Sequence, residues 1–114
     1  MPHPDDRAAP PQLAVRTSRT SPEAVTIHLS GELDLLTEQL LSDQIRSVLS
    51  APETVHVTID AEGLSFMDSS GLRALLALYQ EVDRRQGTVT VAGSQPVVRK
   101  VITVSGVNDR LRLI

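Results

Sequence analysis

The chain has 114 residues, 40% of them hydrophobic and 22% charged, which gives the length of one domain and an ordinary globular composition. Fourteen acids against eleven bases leave a net charge of −3, without the basic footprint that binding a nucleic-acid backbone requires. The lack of cysteine excludes disulfides, thiol nucleophiles and Cys-based zinc sites, and Phe66 and Tyr79 alone supply no aromatic platform for base stacking.

Residues 1–11 read as a flexible proline-rich tail. Pro2, Pro4, Pro10 and Pro11 interrupt helix and strand, and the segment has no apolar rhythm. It also lacks the basic start and apolar core of a secretory signal. No apolar run approaches the ~20 residues that span a bilayer, so a cytoplasmic location without membrane contact is expected.

Residues 12–114 read as one domain. Leu13, Val15 and Thr17 alternate with Ala14, Arg16 and Ser18, which predicts a strand ended by the polar stretch from Ser18 to Pro22. Val25, Ile27 and Leu29 alternate with Thr26, His28 and Ser30, predicting a second strand that stops at Gly31. The short turn between them makes the pair an antiparallel hairpin. Thr37 is placed as the N-cap of a helix carrying Leu40, Leu41, Ile45, Val48 and Leu49, which Ala51 and Pro52 end. Val55, Val57 and Ile59 predict a third strand, and Ala61 to Met67 a loop.

A second helix opens at Asp68-Ser69-Ser70-Gly71 and runs along the stripe Leu72, Leu75, Leu76, Tyr79 and Val82, with Gly87 as its C-terminal cap. Thr88 to Ala92 predict a fourth strand. Pro96 suits the first turn of a third helix, whose Val97, Val98, Val101, Ile102 and Val104 predict burial on more than one face. Leu111, Leu113 and Ile114 suggest a last short strand. Strands alternating with helices need crossovers. The fold class is therefore α/β: a mixed β-sheet covered mainly by amphipathic helices.

The segment richest in chemistry is Asp68-Ser69-Ser70-Gly71. A helix N-terminus has unpaired N–H groups and a partial positive charge, so a phosphate on either serine would be tolerated there. On residue type alone, Asp68 and Ser69 serve equally well as plain helix caps, and Asp34 as a surface carboxylate. His28 and His56 share the polar parity of two strands near Asp60, but without HxxxH or HExxH spacing they read as surface histidines. Gly63, Gly71 and Gly87 build no phosphate-binding loop, and no Ser/His/Asp arrangement is readable from spacing, so no cofactor and no enzymatic activity are expected. Arg84-Arg85 read as a solvated helix end.

Gly31-Glu32-Leu33-Asp34, the run from Leu64 to Leu72, Pro96-Val97-Val98 and Ser105-Gly106-Val107 together resemble the STAS domain. More narrowly they resemble the bacterial anti-sigma factor antagonists, over residues 12–114. The resemblance implies a STAS-like single domain that takes a phosphate on Ser69, the first serine of the motif. It implies a kinase that is itself the partner, an anti-sigma factor of the histidine-kinase-like ATPase type. The unphosphorylated chain would bind it and free the sigma factor; phosphorylation would end that binding, and a PP2C-type phosphatase would restore it. Asp34, Asp68, Ser69, Ser70 and Gly71 would form the partner-binding surface. The competing expectation is a STAS adaptor or scaffold subunit of a stress-signalling or lipid-transport complex, with no phosphoswitch.

Overall fold

The computed structural model describes residues 12–114; the expected tail, residues 1–11, lies outside the described residues. The strands are β1 (Leu13–Arg19), β2 (Ala24–Leu33), β3 (His56–Met67), β4 (Thr88–Ala92) and β5 (Arg112–Leu113). The helices are α1 (Glu38–Leu49), α2 (Ser69–Arg84) and α3 (Pro96–Val104). The sheet order is β1-β2-β3-β4-β5, with β1 antiparallel to β2 and every later pair parallel.

This order decides where the helices go. The three crossovers step across the sheet in one direction, and right-handed connections then place all three helices on one face. The strands match that placement. The rows Val25–Val57–Val89 and Ile27–Ile59–Val91 are buried, whereas Thr26–Thr58–Thr90 and His28–Asp60 alternate with them on the opposite face. Leu72, Leu75, Leu78 and Val82 of α2 and Val98 and Ile102 of α3 pack onto the apolar rows. Each such buried side chain contributes about 1.5–3 kcal/mol.

Several expectations are corrected. Strand β2 does not stop at Gly31 but continues to Leu33. Gly31 has φ +105°, and a Cβ there would lie 2.3 Å from the Gln12 carbonyl oxygen, so glycine lets the chain ahead of β1 close against β2. The segment Ala61–Met67 is not a loop but the second half of β3. Two register shifts against β2 each add one residue to β3, so its buried positions pass from Ile59 and Ala61 to Leu64 and Met67.

The helix ends differ as well. Gln86, not Gly87, holds the left-handed position after α2 (φ 62°). Gln86 N–H bonds to the Asp83 carbonyl and Gly87 N–H to the Val82 carbonyl, both at 2.9 Å, which completes a Schellman motif. Gly87 is needed for space instead, since a Cβ there would sit 1.6 Å from the Val55 carbonyl oxygen. Arg85 is not a solvated end. Its guanidinium donates to the carbonyls of Leu49 (2.7 Å), Ala51 (3.1 Å) and Thr54 (3.0 Å), tying the end of α2 to the end of α1. Helix α3 buries Val98 and Ile102 but leaves Val97 and Val104 exposed, so it is covered on one face rather than all round.

Candidate functional site

The parallel strands β2 and β3 finish side by side, and their C-terminal ends carry Asp34 and Asp68. Asp68 leaves the strand in an extended conformation (φ −110°, ψ −170°) and takes the N-cap position of α2. Its Oδ1 accepts from the backbone N–H groups of Ser70 (2.8 Å) and Gly71 (3.2 Å), which satisfies two of the helix's free donors. Its own N–H donates to the Leu33 carbonyl at 3.2 Å, so the start of α2 is tied to the end of β2. Gly71 is buried there. A Cβ on it would lie 2.6 Å from Leu33 Cγ and 2.8 Å from Met67 Cγ, so a side chain would push the first turn of α2 off the sheet.

The two serines are held differently. Ser69 is exposed at the first position of α2. Ser70 is half-buried and, with Glu38, Ser42 and Arg73, lines a shallow groove of about 200 Å³ between α1 and α2. A phosphate on Ser70 would face Glu38, whereas one on Ser69 would project into solvent.

Asp34 is not a free surface carboxylate. Its Oδ1 accepts from the N–H groups of Leu36 (3.0 Å) and Thr37 (3.1 Å), closing an Asx turn ahead of α1. Thr37 stands at the N-cap of α1 as expected, but its buried hydroxyl points backward. It donates to the Glu32 carbonyl (2.8 Å) and accepts from Asp34 N–H (3.0 Å). This bracing presents Leu35 and Leu36 outward at 70% and 78% exposure. Leu40 on α1 is 50% exposed and Phe66 on β3 is 39% exposed, while Met67 next to it is buried. Phe66 pairs with Glu32 across the sheet, so it belongs to the same end of the molecule. Sequence reasoning assigned Leu40 to the apolar face of α1 and did not single out Leu35 or Leu36. The available signal was an apolar pair inside a turn, where burial has no structural use.

The structure also separates His28 from His56. His56 lies opposite Ala24, four positions along the strand from His28, and bonds to Thr88 Oγ1 (3.0 Å). Among the described residues no three His, Asp or Glu side chains converge as a metal site. His28 instead joins two partners on the polar face: its Nδ1 lies 2.8 Å from Asp60 Oδ2 and its Nε2 lies 2.9 Å from Ser18 Oγ. The Asp60 carboxyl is held below its ordinary value, first by this hydrogen bond to His28 and then by the Glu62 N–H; the charges of His28 and Arg16 add to the effect, and partial burial opposes it. A Ser/His/Asp arrangement is thus present where spacing along the chain showed none, because the three residues come from three strands and meet only through the sheet register.

Among the described residues no helix is long and apolar enough to cross a membrane. A family model described as "Mlab, STAS domain" matches residues 17–114. The chain is 33% identical over 84 residues to an anti-sigma F factor antagonist of Lysinibacillus sphaericus, covering 74% of this chain and 72% of that protein. The anti-sigma factor antagonist SpoIIAA in its unphosphorylated form superposes with a TM-score of 0.75 at 29% identity, over 89% of this chain and 88% of that one. SpoIIAA of Bacillus in its phosphorylated form gives a TM-score of 0.72 at 28% identity, over 89% of this chain and 91% of that one. The five-stranded mixed sheet, the strand-to-helix turn at Asp68 and a family match spanning nearly all the described residues lead to one assignment: the chain belongs to the STAS domain family.

Proposed function

We propose that this chain is an anti-sigma factor antagonist, a regulatory binding protein rather than an enzyme, and that phosphorylation of Ser69 switches its binding off. The observation that carries the reading is the exposed hydroxyl of Ser69 at the first position of a capped helix, at the end of the sheet that also exposes Leu35, Leu36 and Phe66. The likeness to an antagonist solved with and without phosphate supports it. Its partner is an anti-sigma factor of the histidine-kinase-like ATPase type, which is also the serine kinase, and a PP2C-type phosphatase removes the phosphate. Leu35, Leu36, Leu40 and Phe66 supply apolar contact area; Asp34, Asp68, Ser70 and Gly71 fix the loops that present it.

The switch follows from charge. A phosphoserine adds about −1.5 to −2 charges at neutral pH. At the start of α2 the helix dipole favours that charge, so the fold is retained. Against an acidic group or a nucleotide phosphate on the partner the same charge costs several kcal/mol, and each 1.4 kcal/mol is tenfold in affinity.

The test is intact-mass spectrometry after incubation with ATP and each anti-sigma kinase encoded in the same genome, with Ser69→Ala as control. One added phosphate, absent from the variant and accompanied by loss of partner binding, is the expected result. Partner binding that persists with no phosphate on Ser69 would replace the switch with a constitutive adaptor.

A further inference from the structure

Among the described residues one face of the sheet is left without a helix by the run of same-handed crossovers, and it carries an ordered polar array away from the ends of β2 and β3. Ser18 on β1, His28 on β2 and Asp60 on β3 form it. Asp60 lies directly opposite His28, and Ser18 lies diagonally across, two pairs along the β1–β2 ladder, where Thr26 is its direct neighbour. His28 and Asp60 side chains are 25% and 31% exposed, open enough for a small reagent to reach. A groove of about 330 Å³, lined by Arg16, His28, Ser30, Asp60 and Gly63 among others, opens beside His28 and Asp60; Ser18 is half-buried and stands outside its lining.

The hydrogen bonds fix the roles. An ionised Asp60 can only accept, so the imidazole proton sits on Nδ1, 2.8 Å away. When the ring is neutral, Nε2 carries the lone pair, and the Ser18 hydroxyl 2.9 Å away is then the donor. A hydroxyl bonded to a base, itself oriented by a carboxylate, is the arrangement that activates a serine. We infer that Ser18 is an activated nucleophile that accepts an acyl group from an activated ester, making the open sheet face a covalent modification site independent of Ser69.

The step balances as an acyl transfer. Ser18 Oγ attacks the carbonyl carbon of the ester while its proton passes to His28 Nε2. The bond from that carbon to the leaving oxygen breaks, and the imidazolium returns the proton to the departing alcohol. Asp60 stays ionised and holds the ring. The product is an ester on Ser18. It is not cleared by turnover, because strand amides lie in the plane of the sheet. None points above the face at the oxygen of a tetrahedral intermediate, the feature that carries most of the acceleration in hydrolases.

The experiment treats the full chain with p-nitrophenyl acetate at neutral pH, following nitrophenolate release, intact mass and the modified peptide. Background acetylation of amines is confined to Lys100 and the N-terminus, and the imidazoles of His3, His28 and His56 and the Tyr79 phenol also react with the ester, so the modified peptide, not nitrophenolate release alone, assigns the site. One acetyl group on Ser18 is expected, lost in Ser18→Ala, and formed at least ~10-fold more slowly in His28→Gln and Asp60→Asn. An unmodified Ser18 beside acetylated amines, or wild-type rates in both His28→Gln and Asp60→Asn, would overturn the inference. Circular dichroism establishes that each variant is folded; should His28→Gln fail to fold, Ser18→Ala and Asp60→Asn decide the matter.

Discussion

Replacing Asp68 by alanine removes two hydrogen bonds that α2 has no other way to make. The carboxylate accepts from Ser70 N–H at 2.8 Å and Gly71 N–H at 3.2 Å, at a half-buried position. Losing an N-cap acceptor of this kind costs about 1–2 kcal/mol. For a domain of this size each kcal/mol lowers the melting temperature by about 4–5 °C, so Asp68→Ala melts about 4–10 °C below the parent. Asp68→Asn separates bond from charge. An amide oxygen accepts the same two N–H groups, so only the attraction of a carboxylate to the helix dipole is lost, about 0.3–1 kcal/mol or 1–5 °C. Thermal denaturation by far-ultraviolet circular dichroism, paired with urea titration at constant m, measures both. Asp68→Ala melting within 1 °C of the parent, or Asp68→Asn falling as far as Asp68→Ala, would refute the cap as the support of this helix start.

Gly71→Ala destabilises by about 1–3 kcal/mol in urea titration, since its Cβ would sit 2.6 Å from Leu33 Cγ and the overpacking outweighs alanine's better helix propensity. Gln86→Gly raises the melting temperature by about 2–5 °C, because the φ of 62° is strained for glutamine and free for glycine. Asp60 makes stability depend on acid. Its folded pKa lies below the ordinary 3.8, so its contribution is fully present above that pH and fades as pH falls through the folded value. Asp60→Asn therefore flattens the acid limb of a plot of melting temperature against pH below about 4, and His28→Gln, which removes the largest cause, flattens most of it.

The sheet and helices were legible in the sequence wherever one periodicity held without interruption. β4 and α2 begin where alternation or a capping residue places them. The second half of β3 was not legible, because each inserted residue shifts the buried face by one, and the spacing Ala61, Leu64, Met67 matches no single period. Arg85 was misread because a charged residue at a helix end satisfies the dipole and is ordinarily solvated. Only the approach of α1's last carbonyls, fixed by tertiary packing, turns it inward. Asp68 was legible as a cap from the residue type and its place ahead of a helix. Asp34 was identified as part of the site but not as a brace, since an Asx turn depends on the following backbone rather than on the residue. The Ser18–His28–Asp60 array required the register of three strands, and sequence spacing does not carry register.

The same bulged strand bears on how the proposed switch at Ser69 would work. The extra residues in β3 bring Met67 level with Leu33, so that Asp68 N–H meets the Leu33 carbonyl and Gly71 rests on both side chains. The turn before α1 is closed independently by Asp34 and Thr37. The start of α2 is thus fastened to β2 by a backbone hydrogen bond and the turn before α1 by side-chain bonds of Asp34 and Thr37, so each loop is braced against a second arrangement. A device that signals by changing shape needs such a second state, close in free energy to the first. A phosphate on Ser69 would add to that bracing rather than oppose it: the dipole of α2 accepts its charge and the cap already holds the first turn. On the proposed reading the information therefore resides in the surface itself. The added charge alters what a partner meets beside Leu35, Leu36 and Phe66, and the size of the switch is set by the partner's own charges rather than by any rearrangement of this chain.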